Sequence, residues 1–231
     1  MLRRMPLAQS PALAALPEHA NSELLLRPKQ VRSRASLMRI LGAAEIVLRD
    51  EGLEAFSIAR IAELSGVSVG GIYRRVKSKA GLLQAIKDAA MGRIEDAISF
   101  ALERRKFDDF EALLGALVQA ILNSFVRHEA LHRILFQIGG SDPAMSARGI
   151  KGRAKTRQMF VTSALPLFTN PMAARARLAA ALTYDMVSLM FIDRVRADAE
   201  QVRDVSWQRL GKELVSAGVA YLLAIDRSLS G

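Results

Sequence analysis

Residues 57–79 read SIARIAELSGVSVGGIYRRVKSK, and their reading decides the fold. Ser57 can cap a helix, its hydroxyl accepting from an orphan N–H of the first turn, and Ile58, Ile61, Ala62 and Leu64 then recur at helical spacing. Gly66 follows where a helix commonly ends in positive φ, which glycine adopts without a Cβ penalty. Ser68 can cap a second helix. Ala62 is small where two helices would cross, Gly66 is flexible at the turn, and Ile72 is apolar where the second helix would pack back on the first. This is the spacing of a helix-turn-helix.

The second helix is expected to pack through Val69, Ile72 and Val76. Gly70, Gly71, Tyr73, Arg74 and Arg75 are then left toward solvent or a partner. Two adjacent glycines cost a helix about 1 kcal/mol each relative to alanine, and close approach of the backbone to a phosphate or base edge would offset that. Tyr73, Arg74, Arg75, Lys77, Lys79 and the exposed helix N-terminus supply donors for phosphate oxygens and base acceptors.

Working outward, RASLMRILGAAEIVLRDEG at 34–52 reads as a preceding helix ended by Gly52. With this helix, the pattern S57-IARIAELSGVSVGGIY73 followed by K77-SK79 resembles the TetR family of bacterial transcriptional repressors. The resemblance is good over residues 34 to about 90; beyond that it lies in helical pattern and length. Carried over position by position, it implies phosphate contacts from Ser57, Ser68, Gly70, Tyr73 and Lys79, and places Val69, Gly71 and Arg74 near bases. Arg75 stands where the family usually has His or Tyr, so the family's contact at that position does not carry over; Val76 stands where it usually has Phe, which implies a slightly different packing of the small domain.

Bulk properties agree. Of 231 residues 51% are apolar, so the chain can build a core, and the formal charge of +10 favours polyanionic partners. Residues 1–90 carry 14 Lys/Arg against 8 Asp/Glu, so the basic excess is denser where the motif sits. The absence of cysteine excludes disulfides, thiolate metal sites and cysteine nucleophiles. No uninterrupted apolar run approaches the ~20 residues of a membrane span, so no membrane partner and a cytoplasmic location are expected.

Residues 1–33 read as a flexible extension, whose prolines, Gln9 and Ser10 interrupt any signal-type apolar region. Arg27, Lys29, Arg32 and Arg34 form a basic run that either reaches along a groove as an arm or is a solvated tail. Residues 34–80 are expected to form the DNA-binding domain and 81–231 a helical effector-binding and dimerisation domain. In the latter, helices are expected over 79–104, 107–127, 129–138, 150–168, 171–195 and 205–229. Breaks fall at His128, at GGSDP with Pro143, and at TNP, where Asn170 and Pro171 look like a cap and a first-turn proline. The fold class expected is all-α.

The last two helices are apolar on more than one face, as in Leu178, Leu182, Met186, Leu189 and Met190 or Leu210, Leu214, Val215, Tyr221 and Leu222. That suits helices covering a core on one side and a second subunit on the other. Small residues at Ala179, Ala180, Ala181, Ala217, Gly218 and Ala220 would permit close helix approach. The family resemblance implies a four-helix dimer interface from these two helices of each subunit. A dimer also suits two recognition helices meeting successive major grooves of a palindromic operator.

Enzyme readings fail on context. Gly66-Val67-Ser68-Val69-Gly70 matches G-x-S-x-G, but a nucleophile elbow needs a strand before its serine. His128 and His132 are four apart yet lack a companion ligand, and GIKGRAKT at 149–156 lacks P-loop spacing. Arg148, Lys151, Arg153, Lys155 and Arg157 read as a solvated basic helix face. No metal and no cofactor are expected. The resemblance raises one further site, an effector pocket walled by Phe125, His132, Phe136, Met159, Phe160 and Tyr184. The combined expectation is a homodimeric repressor released from operator DNA by a small, largely apolar effector; the alternative is a DNA-binding regulator without a small ligand, constitutive or controlled by a protein partner.

Overall fold

The computed structural model describes residues 31–103, 106–139, 142–197 and 205–229; of the extension expected over residues 1–33, residues 1–30, with Arg27 and Lys29, lie outside them, while 31–33 belong to the first helix. Every regular element there is helical. The chain divides into two compact units, residues 1–89 and 90–231, and the division falls inside one long helix.

The first unit holds α1 (Val31–Ile46), which runs through a π-helical turn (Val47–Glu51) into the single turn α2 (Gly52–Ala55). Gly52 takes φ 84°, a conformation that a Cβ disfavours, so the break expected there has its physical cause. After it come α3 (Ile58–Ser65), α4 (Val69–Tyr73) and the first half of α5 (Lys79–Glu103). Ile40, Val47, Leu48, Phe56, Ile61, Ile72, Val76, Leu82 and Ile86 are fully buried and make this unit's core. Arg60 of α3 joins Glu51 and Glu63, each at 2.8 Å. Its guanidinium holds the Glu51 carboxyl below its ordinary value, and both groups are exposed enough for salt to screen the pair.

In the second unit, α6 (Phe110–Arg127) is the most enclosed helix and packs against α10 (Trp207–Leu229), α8 (Pro143–Ala164), α7 (Glu129–Gly139) and α9 (Ala174–Arg196). By length and composition α6 could cross a membrane, but its apolar positions from Phe110 to Phe125 are spent on this core. Gly211 and Gly218 of α10, two turns apart, bring that helix close to α6. A Cβ at Gly211 would lie 2.9 Å from Leu122 Cδ1, and one at Gly218 3.0 Å from Leu114 Cδ1. Trp207 stacks on Phe191 at 6.0 Å between centroids and donates its indole N–H to Glu129 at 3.2 Å, joining α10 to α9 and α7.

Several helix boundaries differ from the sequence expectation. Helix α8 begins at Pro143, not at Ile150, because Asp142 accepts from the N–H groups of Ala144 (2.9 Å) and Met145 (3.0 Å) while proline occupies the first turn, where its missing N–H costs nothing. The residues read as a break are a helix start. Asp109 similarly caps α6 at 2.7 Å, moving its start from 107 to 110. At the next break the opposite holds. Asn170 and Pro171 lie in a turn closed by the Ala173 N–H on the Asn170 carbonyl, and α9 starts at Ala174 with no side-chain cap.

Candidate functional site

The helix-turn-helix is built from local hydrogen bonds. Ser57 Oγ accepts from the Arg60 N–H at 3.2 Å and Ser68 Oγ from the Gly71 N–H at 3.1 Å. Gly66 takes φ 65° and closes α3 by donating to the Ala62 carbonyl at 3.0 Å. Between them, Ser65 Oγ accepts from Val67 N–H at 3.2 Å, a turn contact the sequence reading missed although serine before a turn is a common signal for one.

Helix α4 is a short rod whose Ile72 is fully buried, while Val69 is 44% exposed. Val69 therefore does not belong to the packing side, as expected from its apolarity. It lies in the helix's first turn, three residues before Ile72, and on so short a helix burial falls only on Gly71 and Ile72. Gly71 corrects the expectation in the other direction. It is buried, and a Cβ there would stand 2.9 Å from Val67 Cγ1 and 3.1 Å from Ser68 Oγ, so internal packing requires the glycine. At Gly70 nothing lies within 4 Å of a Cβ. Arg75 turns back, donating from Nη1 to the Gly71 carbonyl at 2.8 Å, and so helps close the end of α4 instead of projecting outward. Val76 is fully buried beyond that end. Ser57, Ser68, Val69, Gly70, Tyr73, Arg74, Lys77 and Lys79 remain exposed. Lys79 opens α5 beside the Phe56 ring, 5.6 Å from its centroid. Ser78 caps α5 by accepting from the Gly81 N–H at 3.0 Å, another contact the sequence reading missed.

Inside the second unit a partly open cavity of about 60 Å³ lies between α5, α6, α7, α8 and α9. Its apolar walls include Met91, Ile94, Ile98, Ile121, Phe125 and Phe136; Glu95, Arg153, Thr156, Tyr184 and Ser188 are polar. Of the pocket residues read from the sequence, Phe125, Phe136 and Tyr184 line it. His132 and Phe160 stand behind the wall, His132 with its ring 4.9 Å from that of Phe125 and Phe160 6.1 Å from that of Tyr184. Met159 is half-buried and takes no part in the lining. Glu95 was missed because a lone glutamate on a long helix reads as solvated. Here it pairs with Arg148 at 2.5 Å and Lys155 at 3.3 Å. Arg157 pairs with Asp185 at 3.0 Å, so most of the basic run on α8 is spent on ion pairs and is not a plain solvated face. The Tyr184 hydroxyl lies 2.5 Å from Thr156 Oγ1. Burial raises the phenol's pKa above its ordinary value, opposed by that hydrogen bond and by the nearby Arg153 charge. The His128 and His132 rings lie 6.3 Å apart, and no cluster of three metal-ligating side chains occurs among the described residues.

Helix α9 has two apolar faces. Ala180, Thr183, Tyr184, Val187 and Phe191 are buried, while Leu178, Leu182, Met186, Leu189 and Met190 are 42–56% exposed along the opposite side. Ala179, Ala180, Ala181 and Gly218, read as small residues for close approach between subunits, are buried within their own chain; Ala217 and Ala220 are exposed. An open groove of about 700 Å³ between α6 and α10 is larger than the cavity, but Gln119, Gln208, Lys212 and Ser216 among its lining make it a poorer receiver of apolar ligands.

Residues 40–86 match the sequence signature described as bacterial regulatory proteins, tetR family. Over 142 residues the chain is 28% identical to the HTH-type transcriptional regulator BetI of Cronobacter sakazakii (strain ATCC BAA-894), spanning 62% of this chain and 70% of that protein. Its fold is similar to that of the fatty acid degradation regulator FadR from Bacillus halodurans, with a TM-score of 0.62 at 17% identity over 84% of this chain and 97% of that one. It is similar also to a bacterial regulatory protein of the tetR family from Rhodococcus RHA1, with a TM-score of 0.59 at 18% identity over 82% and 97% of the two chains. With the helix-turn-helix geometry of α3 and α4, the match over residues 40–86 makes this segment a DNA-binding domain of the tetR type, and the chain resembles the transcriptional regulators that carry it.

Proposed function

We propose that this regulator is a repressor that binds a palindromic operator as a homodimer in the cytoplasm and is released by a small, largely apolar effector. The observation that carries the DNA-facing part is the exposed strip of α4, where Val69, Gly70, Tyr73 and Arg74 stand on a helix anchored by fully buried Ile72. In this reading residues 34–80 form the DNA-binding domain. Ser57, Ser68, Tyr73, Lys79 and the bare backbone at Gly70 meet phosphates, while Val69 and Arg74 face base edges. Gly71 acts indirectly, since its N–H is already given to Ser68.

Residues 81–231 then hold the effector and the dimer interface. The exposed apolar side of α9 supports the latter, with Leu223, Ala217 and Ala220 of α10 beside it in the proposed four-helix contact. The cavity supports the former. Its 60 Å³ is far below the roughly 300–1,000 Å³ of ligand sites, so an effector has to enlarge it. That requirement favours release. A ligand that fits only an expanded packing of α5, α6, α8 and α9 binds one conformation better than another, which is the condition for it to shift the equilibrium. Met91, Ile94, Glu95 and Ile98 of the cavity wall lie on α5, the helix whose first residue is the proposed phosphate-binding Lys79.

The operator can be selected from random duplex DNA and its affinity followed by fluorescence anisotropy. Log affinity should fall linearly with log salt, each neutralised phosphate adding about −0.9 to the slope. Arg74→Ala should relax discrimination at one base position by about 1–3 kcal/mol while Lys79→Ala weakens all sequences alike. A flat salt response would overturn the reading of this face. For the effector, linkage demands that operator DNA weaken ligand binding by the same factor that the ligand weakens DNA binding, typically about 5–150-fold. Calorimetric titration of a ligand with and without operator checks this, and equal affinities would remove that ligand as the inducer.

A further inference from the structure

The cavity walls carry more chemistry than an apolar effector uses. On α8, Arg153 and Thr156 are three residues apart and face one side; on α9, Tyr184 and Ser188 are four apart and face the same space. The hydroxyls are internally engaged. Thr156 Oγ1 lies 3.0 Å from the Gly152 carbonyl, to which it donates, and 2.5 Å from the Tyr184 hydroxyl, while Ser188 donates to the Asp185 carbonyl at 3.3 Å.

The charges are unequal. Glu95 is the only carboxylate lining the cavity among the described residues, and both of its oxygens are taken, Oε1 by Arg148 at 2.5 Å and Oε2 by Lys155 at 3.3 Å. This pair is seated against bare backbone: a Cβ at Gly152 would lie 2.8 Å from Glu95 Oε1 and 2.9 Å from Arg148 Nη1. Neighbouring Asp185 is held by Arg157. Arg153 lines the cavity with no carboxylate paired to it among the described residues, and its charge is felt at the buried Tyr184 hydroxyl. The lining therefore combines one cation that has no carboxylate paired to it among the described residues with the apolar side chains of Ile94, Ile98, Ile121, Phe125 and Phe136.

We propose, resting on the reading that this cavity takes the effector, that the effector is an amphipathic anion: an apolar body ending in one carboxylate that pairs with the Arg153 guanidinium. A cationic ligand meets no available carboxylate, because the one present in the lining already holds two positive side chains. A neutral ligand satisfies the apolar walls but leaves Arg153 unpaired as the enlarged site loses water. A carboxylate satisfies both, because the guanidinium fork offers two parallel N–H donors to its two oxygens in a partly dehydrated setting, where charge-assisted bonds are strongest.

The test uses three ten-carbon probes at pH 8, below their micellar concentrations: decanoate, decanol and decyltrimethylammonium. Binding to the full chain is measured by calorimetry and release from the selected operator by anisotropy. Decanoate should bind about tenfold to a hundredfold more tightly than decanol, the range expected for gaining a hydrogen-bonded charge pair, and decyltrimethylammonium should bind more weakly than either. Arg153→Gln should abolish the preference for decanoate, leave decanol affinity and operator binding as in the unaltered protein, and so separate loss of recognition from loss of fold. Lys151→Gln, an exposed change on the same helix, should alter nothing. The inference fails if decanol or the cation binds as tightly as decanoate, or if Arg153→Gln keeps the preference; in those cases the effector reading itself stands. If none of the three binds, both fall.

Discussion

Leu182→Glu on α9 is expected to turn a dimer into monomers and to lower operator affinity about a thousandfold. Leu178, Leu182, Met186, Leu189 and Met190 leave an apolar strip uncovered along one helix, and burying such side chains is worth about 1.5–3 kcal/mol each. In a two-fold interface the same strip meets its copy, so one substitution buries two carboxylates in one place, close to each other and unpaired. The lost affinity follows if the operator is palindromic, as proposed. A monomer then reaches one half-site only and forfeits part of the about 10³–10⁷ by which specific binding exceeds non-specific binding. Sedimentation equilibrium and operator anisotropy check the two effects, with Met172→Glu as the control because that side chain is 90% exposed and lies outside α9. A dimer undisturbed by Leu182→Glu would place the interface on another face.

The adjacent glycines of α4 should respond to alanine in opposite ways. Gly71→Ala drives a methyl to 2.9 Å from Val67 Cγ1, and a β-branched, buried valine has little rotamer freedom with which to yield. The same methyl lies 3.1 Å from Ser68 Oγ, which caps α4 through the Gly71 N–H. Overpacking and a disturbed cap together should cost about 2–4 kcal/mol and lower the melting temperature of the first unit, with operator binding lost in consequence. Gly70→Ala meets no atom within 4 Å, so it should stabilise the helix by up to about 1 kcal/mol. If the backbone at Gly70 approaches DNA, that gain comes with weaker operator binding. Thermal denaturation by circular dichroism together with anisotropy separates the cases: an unchanged melting temperature in Gly71→Ala would show that packing does not require that glycine, and unchanged operator affinity in Gly70→Ala would show that DNA does not approach it.

How far the molecule was legible without coordinates follows from the range of the forces involved. Ser57, Gly66 and Ser68 act within four residues of themselves, through one hydroxyl or one backbone dihedral, so their order along the chain already specifies helix, turn and helix. The all-helical class followed for the same reason, since apolar spacing at a period near 3.6 is a property of each segment alone. Helix starts were less legible where one residue type has two uses. Pro143 behind Asp142 begins a helix, while Pro171 behind Asn170 sits in a turn, and neither pair of residues says which without the backbone hydrogen bonds around it.

What only the tertiary structure decided is which neighbour each side chain meets. Val69 is apolar yet exposed, because α4 ends after five residues and only Gly71 and Ile72 reach the core. Gly71 is required by Val67 and Ser68, which it touches only once the turn is closed. Arg75 bends back onto its own helix end, and Glu95 gathers Arg148 and Lys155 from more than fifty positions away. The sequence of α9 shows apolar residues on more than one face; the packing of α7, α8 and α10 against it determines that Ala180, Tyr184 and Phe191 are core and that Leu178, Leu182 and Leu189 are left for something else. Periodicity is written within a segment, whereas burial and ion pairing depend on segments far apart in the chain. The sequence by itself therefore determined the helix-turn-helix and the helical class, and the fold alone decided which faces are core, which line a cavity and which remain uncovered.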